Sequence, residues 1–450
     1  MAIDLTAFGT LPAWLREAAD ADRVGRSLVA TVPDFRTGGV TLLDAELERI
    51  RLKDQTWRST YRFTVTRPDS GTPSVVGLRG SLLSPPELPT MPPSTAGPPF
   101  GTDGWCAYLP DLGLLLETEP EDEALPALPE LLAPDSARRL LERSIAAAGP
   151  DYDGFALESC DPQIVRYSPG SRCTIRYRLN YPAGVGDRGW PDIVVAKTYR
   201  GDKGRIAWNG MRALWESPMA SSGVAIAEPL AFLDEMNVLV QGPIREQFRL
   251  TEAARRAVWE GTPAITAEAE GYVRGTAAGL AALHGSGVGL GNLVTWNDEH
   301  DEVRQVMDRL VSRAPSLSAG AEPLLSALAE RAARVPADPA GPAHRSFRPA
   351  QVLISEGHLG FIDFDGFCQA EPAIDVALMR SSLKQLGMGE WERASMPADR
   401  VGPYAQLADT FLDAYERHAP ISRVRVALWE ALDLLTVVQH AWTKVKVKKL

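Results

Sequence analysis

The stretch that decides how this chain is read is His344-Arg345-Ser346-Phe347-Arg348-Pro349-Ala350-Gln351-Val352-Leu353-Ile354, followed nine residues later by Asp363-Phe364-Asp365-Gly366. Polar and charged residues cluster just before an apolar run, and a second short apolar run ends on Asp363. That order sets the Asp363 carboxyl at the end of a strand. Ser346 is neutral near pH 7 and cannot serve unaided as a general base. Arg345 and Arg348 suit bidentate binding of an anion, and suit an exposed surface equally well.

Outward from this stretch, the chain divides into a β-rich half and a helical half. Ile164–Leu179 reads as two strands around the turn Ser168-Pro169-Gly170-Ser171, and Asp192–Tyr199 as a third strand. A helix over about Lys203–Glu216 and a hairpin over Ala231–Val240 follow, the latter turning at Asp234-Glu235. An earlier segment repeats this order. Ile50–Lys53 and Arg58–Phe63 form its first hairpin, Val75–Arg79 its third strand and Ala107–Leu116 its second hairpin. Leu78 falls where Lys197 stands in the later copy. Ser84–Pro93 is too rich in proline for the interior of a helix. A linker helix over Asp135–Ala148, with Asp135 as N-cap and Gly149-Pro150 as stop, joins the copies. Beyond the second sheet, helices are expected over 251–261, 266–283, 301–312, 323–334, 372–386, 403–418 and 422 to about 446. The reading is an α+β protein with domains at 1–134, 135–247 and 248–450.

Composition narrows the function classes. The chain has 450 residues, 45% of them apolar, and a net charge of −11. An acidic balance argues against nucleic acid or an anionic membrane as the partner. The short basic run Lys444–Lys449 reads as a solvated tail, and Glu117–Glu123 as a solvated acidic segment. No stretch approaches the roughly 18 uninterrupted apolar residues of a membrane span. The N-terminus lacks the charged-then-apolar design of a signal peptide. The four cysteines are scattered without metal-ligand spacing, which suggests reduced thiols and a cytoplasmic protein. Six histidines are too few for a convincing metal cluster, and no Gly-x-Ser-x-Gly elbow, His-Glu-x-x-His or Walker lysine motif is present.

With these residues in view, the chain resembles the aminoglycoside phosphotransferase/choline kinase-like superfamily over roughly residues 150–450. The form His344-Arg345-Ser346…Gln351 is similar to the bacterial branch that reads His-x-Asp-x-x-x-x-Gln, near which maltokinase-type proteins, with an extra N-terminal domain, also fall. The resemblance implies a two-lobe protein-kinase-like fold. Residues 1–134 would then be a cap that repeats the N-lobe sheet without its lysine, structural or partner-binding in role.

The resemblance also implies site residues. Lys197, Gly170 and Gln241 would contact the nucleotide, Lys197 holding the α/β-phosphates. Asp363, Gln351 and Asp365 would hold magnesium, a cation that takes oxygen ligands together with substrate phosphates. The family's helix carboxylate has no clear counterpart, Glu216 being the one acidic residue in its helix. Asp375 would brace the loop, His344 would be structural or a substitute base, and Arg348 would be catalytic or anion-binding. Ser346 stands at the position of the catalytic aspartate, whose general-base work is worth about 10²–10⁴-fold in rate. Tyr167, Arg172 and Arg176 read as structural.

Three functions follow as expectations. The first is a degenerate kinase acting as a nucleotide- or peptide-binding scaffold. The second is an active ATP- and magnesium-dependent phosphotransferase for a small molecule or peptide. The third is a kinase fold repurposed for modifying natural-product peptides, as in class V lanthipeptide systems. A protein partner on the N-terminal cap is compatible with each.

Overall fold

The computed structural model describes residues 8–9, 11–53, 56–82, 99–118, 122, 124–168, 170–184, 188–394 and 402–445, the side chains of 388–394 excepted. The proline-rich stretch 84–93, Pro169, most of the acidic segment 117–123 and the last lysines therefore lie outside the described residues. The chain forms two compact units. One is Met1–Glu121 with His300–Glu330 and Leu434–Leu450; the other is Asp122–Glu299 with Arg331–Asp433. This differs from the expected division at 134 and 247. Segments far apart in sequence complete the first unit: the Gln439 amide donates to the Val303 carbonyl, and the Trp442 indole donates to the Phe8 carbonyl at 3.3 Å.

In the first unit the sheet comprises β1 (Thr41–Lys53), β2 (Thr56–Thr66), β3 (Ser74–Leu82), β4 (Cys106–Leu109) and β5 (Leu114–Thr118), in the order β1-β2-β3-β5-β4. Alternation along β2 buries Trp57, Tyr61, Phe63 and Val65 on one face. The helices Ala13–Ala18 and Ala21–Thr31 precede it, the second capped by Asp20, whose carboxylate accepts from the Arg23 amide at 3.0 Å.

The second unit opens with helices Leu128–Leu132 and Pro134–Ala146. The N-cap of the latter is Ala133 and its first residue Pro134, so Asp135 sits within the first turn rather than capping it. There follow β6 (Ser159–Ser168), β7 (Arg172–Asn180), β8 (Ile193–Tyr199), a helix at Lys203–Trp215, β9 (Val224–Ile226), β10 (Pro229–Leu233), β11 (Val238–Gln241) and β12 (Phe248–Arg249). The main sheet runs β10-β11-β8-β7-β6, the same order of pairing as the first sheet.

The register refines the repeat. In one sheet Ser81 pairs with Arg58 and Leu115; in the other Lys197 pairs with Thr174 and Leu239. The hairpins agree, because Leu109 faces Leu114 as Leu233 faces Val238. Ser81, not Leu78, therefore occupies the place of Lys197, and the first copy still carries no charge there. Counting along β2 and β7 from these pairs brings Tyr61 onto Tyr177. Both are fully buried, and each donates its hydroxyl to a carbonyl of a preceding short helix, Ala18 at 2.6 Å and Leu131 at 2.8 Å.

The helical half matches the expected periodicity closely: Leu250–Glu260, Pro263–His284, Trp296–Arg313, Ser318–Ala333, Ala373–Ala394, Gly402–Glu416 and Arg423–Thr443. Pro323 lies inside its helix rather than at its start. Set among these helices are β13 (Gly341–Ala343), β14 (Val352–Ser355), β15 (His358–Phe361) and β16 (Cys368–Ala370). Ala343 pairs with Cys368, and Val352 pairs with Phe361. Residues 344–351 and 362–367 are thus two loops fastened to each other at both ends. No helix among the described residues is long and apolar enough to cross a membrane.

Candidate active site

The second sheet and the 362–367 loop meet in one ionic cluster. Alternation along β8 puts Lys197 and Tyr199 on the same face, and Arg172 is the cross-strand neighbour of Tyr199. The Lys197 ammonium donates to Asp363 Oδ1 at 3.0 Å and lies 3.7 Å from Asp365 Oδ1. The Arg172 guanidinium meets Asp365 Oδ2 at 2.8 Å and Asp363 Oδ1 at 3.9 Å. The Tyr199 hydroxyl donates to Asp365 Oδ1 at 2.7 Å. Burial, and then the Asp365 carboxylate, push this phenol well above its ordinary range. Burial works against the charge on Asp363 too, yet Lys197, Arg172 and His344 outweigh it and hold the carboxyl at about 2.

Asp363 has left-handed backbone, φ 75° and ψ 52°, as does Arg345 at φ 60°. Such conformations are costly outside glycine, although aspartate tolerates them better than most residues, and they persist where surrounding contacts enforce them. The enforcing contacts are visible. The buried His344 donates its backbone N–H to Asp375 Oδ2 at 2.6 Å, and its Nε2 faces the Ile362 carbonyl at 3.0 Å. Asp375 Oδ2 also lies 3.2 Å from His284 Nε2, while His284 Nδ1 is 2.7 Å from the Tyr415 hydroxyl. Asp375 does brace the loop.

Ser346 lies between these groups. Its Oγ is 3.1 Å from His344 Nδ1 and 3.4 Å from the Asp363 carbonyl. Gln351 is joined to the other loop by the Ile362 N–H, which donates to its carbonyl at 3.1 Å. The side-chain Oε1 of Gln351 is buried and has no hydrogen-bond partner. Leaving such an oxygen unpaired costs about 1–3 kcal/mol.

That orphaned oxygen belongs to a residue tied through its backbone to Ile362, the chain neighbour of Asp363, and it fits a hard cation that takes oxygen ligands. Among the described residues no group of three His, Cys, Asp or Glu side chains is placed to hold a metal. Asp363, Asp365 and the Gln351 amide could offer oxygen ligands alone, the kind that magnesium takes together with phosphates and water.

Other expected residues lie elsewhere or are already engaged. Gly170 has φ 68°, which its turn requires of a glycine, and its N–H donates to Asp122 Oδ2 at 2.9 Å; the Tyr167 hydroxyl donates to the same oxygen at 2.8 Å. Gln241 is buried at the end of β11, opposite Pro229 and Val195. Arg345 binds Glu299 with two nitrogens, Nε at 2.8 Å. Arg348 donates to Ser382 at 3.3 Å and to Asp433 at 3.0 Å. Glu216 pairs with Arg212 at 3.1 Å on an exposed helix end, so the carboxylates that meet Lys197 come from the loop and not from the helix. Arg172, which reads as structural in the sequence, and Tyr199, which no local pattern marks, belong to the cluster. A period-2 pairing of β7 with β8 would have placed both beside Lys197.

Residues 215–429 match the phosphotransferase enzyme family. The match covers somewhat under half of the chain and begins after Lys197. Over 98% of this chain and 97% of the other, the fold is shared with a glucosamine kinase at 16% identity and a TM-score of 0.50. Another glucosamine kinase structure, in complex with glucosamine, ADP and inorganic phosphate, aligns over 98% of both chains at 16% identity and a TM-score of 0.46. The ADP-bound aminoglycoside phosphotransferase APH(2'')-Ib aligns over 63% of this chain and 86% of that one, at 14% identity and a TM-score of 0.43. No curated protein matches the chain. The kinase-like α+β fold expected from the sequence is the fold the chain has.

Proposed function

We propose that this protein binds a nucleoside triphosphate with magnesium at the Lys197–Asp363 cluster, as a degenerate member of the phosphotransferase group. One observation carries the reading: the buried Gln351 Oε1 has no partner, on a residue whose carbonyl is tied to Ile362, the chain neighbour of Asp363, whose carboxyl is held at about 2. Gln351, Asp363 and Asp365 would hold the cation, and Lys197 and Arg172 would share their charge between the aspartates and the phosphates. Bound magnesium would neutralise charge on the phosphates. The chain's own residues fix the geometry. Asp375 anchors His344, His344 anchors Ile362, and the pairs Ala343–Cys368 and Val352–Phe361 keep the loops together.

The test is calorimetry with ATP, with and without magnesium. Magnesium-dependent binding that is lost in Asp363→Asn and weakened in Gln351→Leu supports the reading. Wild-type protein that binds no nucleotide under either condition would end it.

A second reading, slow phosphoryl transfer to a hydroxyl of a small molecule or peptide, is favoured by the contact between Ser346 and His344.

A further inference from the structure

We propose that Ser346 and His344 form a two-step proton relay that replaces a carboxylate base, so that the acceptor hydroxyl is deprotonated through a serine. The inference rests on the nucleotide site described above and adds the group that receives the proton.

Hydrogen-bond bookkeeping at His344 leads to it. Its Nε2 faces the Ile362 carbonyl at 3.0 Å. A carbonyl can only accept, so Nε2 carries a proton, and in a neutral ring it is the only one. The lone pair is then on Nδ1, which faces Ser346 Oγ at 3.1 Å. Only a donor fits there, so the serine hydroxyl donates to the imidazole. The competing acceptor, the Asp363 carbonyl, is farther away at 3.4 Å. Both lone pairs of Ser346 Oγ remain for an incoming O–H.

Accessibility runs in the right order. His344 is fully buried, wedged between Phe347 and Phe364 at ring-centroid distances of 5.4 and 4.7 Å. Ser346 is only half-buried, so an acceptor can reach the serine and not the imidazole. This is the nucleophile–base contact of hydrolytic enzymes put to another use: the serine passes a proton on and does not itself attack.

The step balances. The acceptor oxygen bonds to the γ-phosphorus as the bond from that phosphorus to the β,γ-bridging oxygen breaks, and the bond's electron pair leaves with the nucleoside diphosphate. The acceptor proton moves to Ser346 Oγ while the serine's own proton moves to His344 Nδ1. The imidazolium keeps its Nε2–H on Ile362 and forms near the ionised Asp363. Return of the proton through Ser346 to water resets the pair.

Two measurements test the relay. The first uses ¹⁵N NMR of the histidine rings in the protein without nucleotide or metal. His344 is expected as the Nε2–H tautomer, with an Nδ1 resonance that moves in Ser346→Ala. A His344 found as the Nδ1–H tautomer overturns the proposal. The second follows hydrolysis of Mg-ATP, with water as acceptor, beside calorimetric affinity for Mg-ATP. Ser346→Ala is expected to lose about 10²-fold in rate at unchanged affinity, while Ser346→Thr, which keeps the hydroxyl, retains most of the rate. Equal rates for wild type and Ser346→Ala, or equal losses in Ala and Thr, overturn the relay. Wild-type protein that binds Mg-ATP without hydrolysing it overturns the relay and leaves the nucleotide site standing; failure to bind at all removes both.

Discussion

Gly210 lies directly against Phe367: a Cβ built on the glycine would come within 2.5 Å of the ring's Cγ. Gly210 belongs to the helix Lys203–Trp215, and Phe367 closes the loop that starts near Asp363. The missing side chain lets helix and loop touch. Gly210→Ala should therefore overpack this contact and cost about 1–3 kcal/mol in denaturant unfolding. It should also weaken Mg-ATP binding, because Phe367 follows the turn that carries Asp363 and Asp365. A fully stable variant would show that the helix can slide away without cost.

Lys197→Met should cost about 10- to 100-fold in Mg-ATP affinity, the worth of one charge-assisted hydrogen bond. The same variant carries a pH signature. Asp363 is held at about 2, below an ordinary aspartate, so its ionic contacts add stability above roughly pH 4. That contribution is lost as the pH falls through the folded value. Urea unfolding should show wild type and variant far apart at neutral pH and converging toward pH 2. A gap that is constant across the range would mean that Lys197 acts through packing alone.

Arg425 and Glu371 form a buried two-armed ion pair, 2% and 5% exposed, with Nε donating to Oε2 at 2.8 Å. The guanidinium also stacks over Trp296 at 5.3 Å. Removing one partner strands a buried charge, so Arg425→Met should destabilise by about 3–5 kcal/mol. Replacing both residues with apolar ones of similar volume should recover much of that loss. Thermal unfolding of the single and double variants checks both statements.

Burial pushes the thiols of Cys160 and Cys173 up to about 11 and that of Cys368 up to about 12. At pH 8 these three should resist a disulfide reagent in the native protein, leaving only the half-buried Cys106 to react. Denaturant should release all four. The raised values favour the folded state below the ordinary thiol range, near 8.5, and that advantage fades as the pH climbs toward 11–12. Native modification of more than one thiol at pH 8 would contradict this burial.

The legible parts of this chain were those that local pattern encodes. Alternating strands exposed the duplicated sheet, helical periodicity found the seven long helices of the second half, and the spacing around Ser346 and Asp363 pointed to the loops. What escaped depends on partners distant in sequence. Arg172 is 193 residues from Asp365, and nothing local in either shows the contact. The exact alignment of the repeat also escaped, because it rests on strand pairing; β1 alone contains two register shifts against β2. Asp135 looked like a cap because aspartate favours that position, but Pro134 already supplied the first helical residue. The grouping of 300–330 and 434–450 with the N-terminal sheet was invisible for the same reason as Arg172: surface helices and core helices can share one periodicity.

The matched tyrosines have a wider meaning. Tyr61 and Tyr177 fasten two sheets of one design, yet only the later sheet presents a cation at the place where Ser81 stands in the earlier. One backbone plan is thus used twice within a single polypeptide, and at this place only the later use has to accommodate a charge.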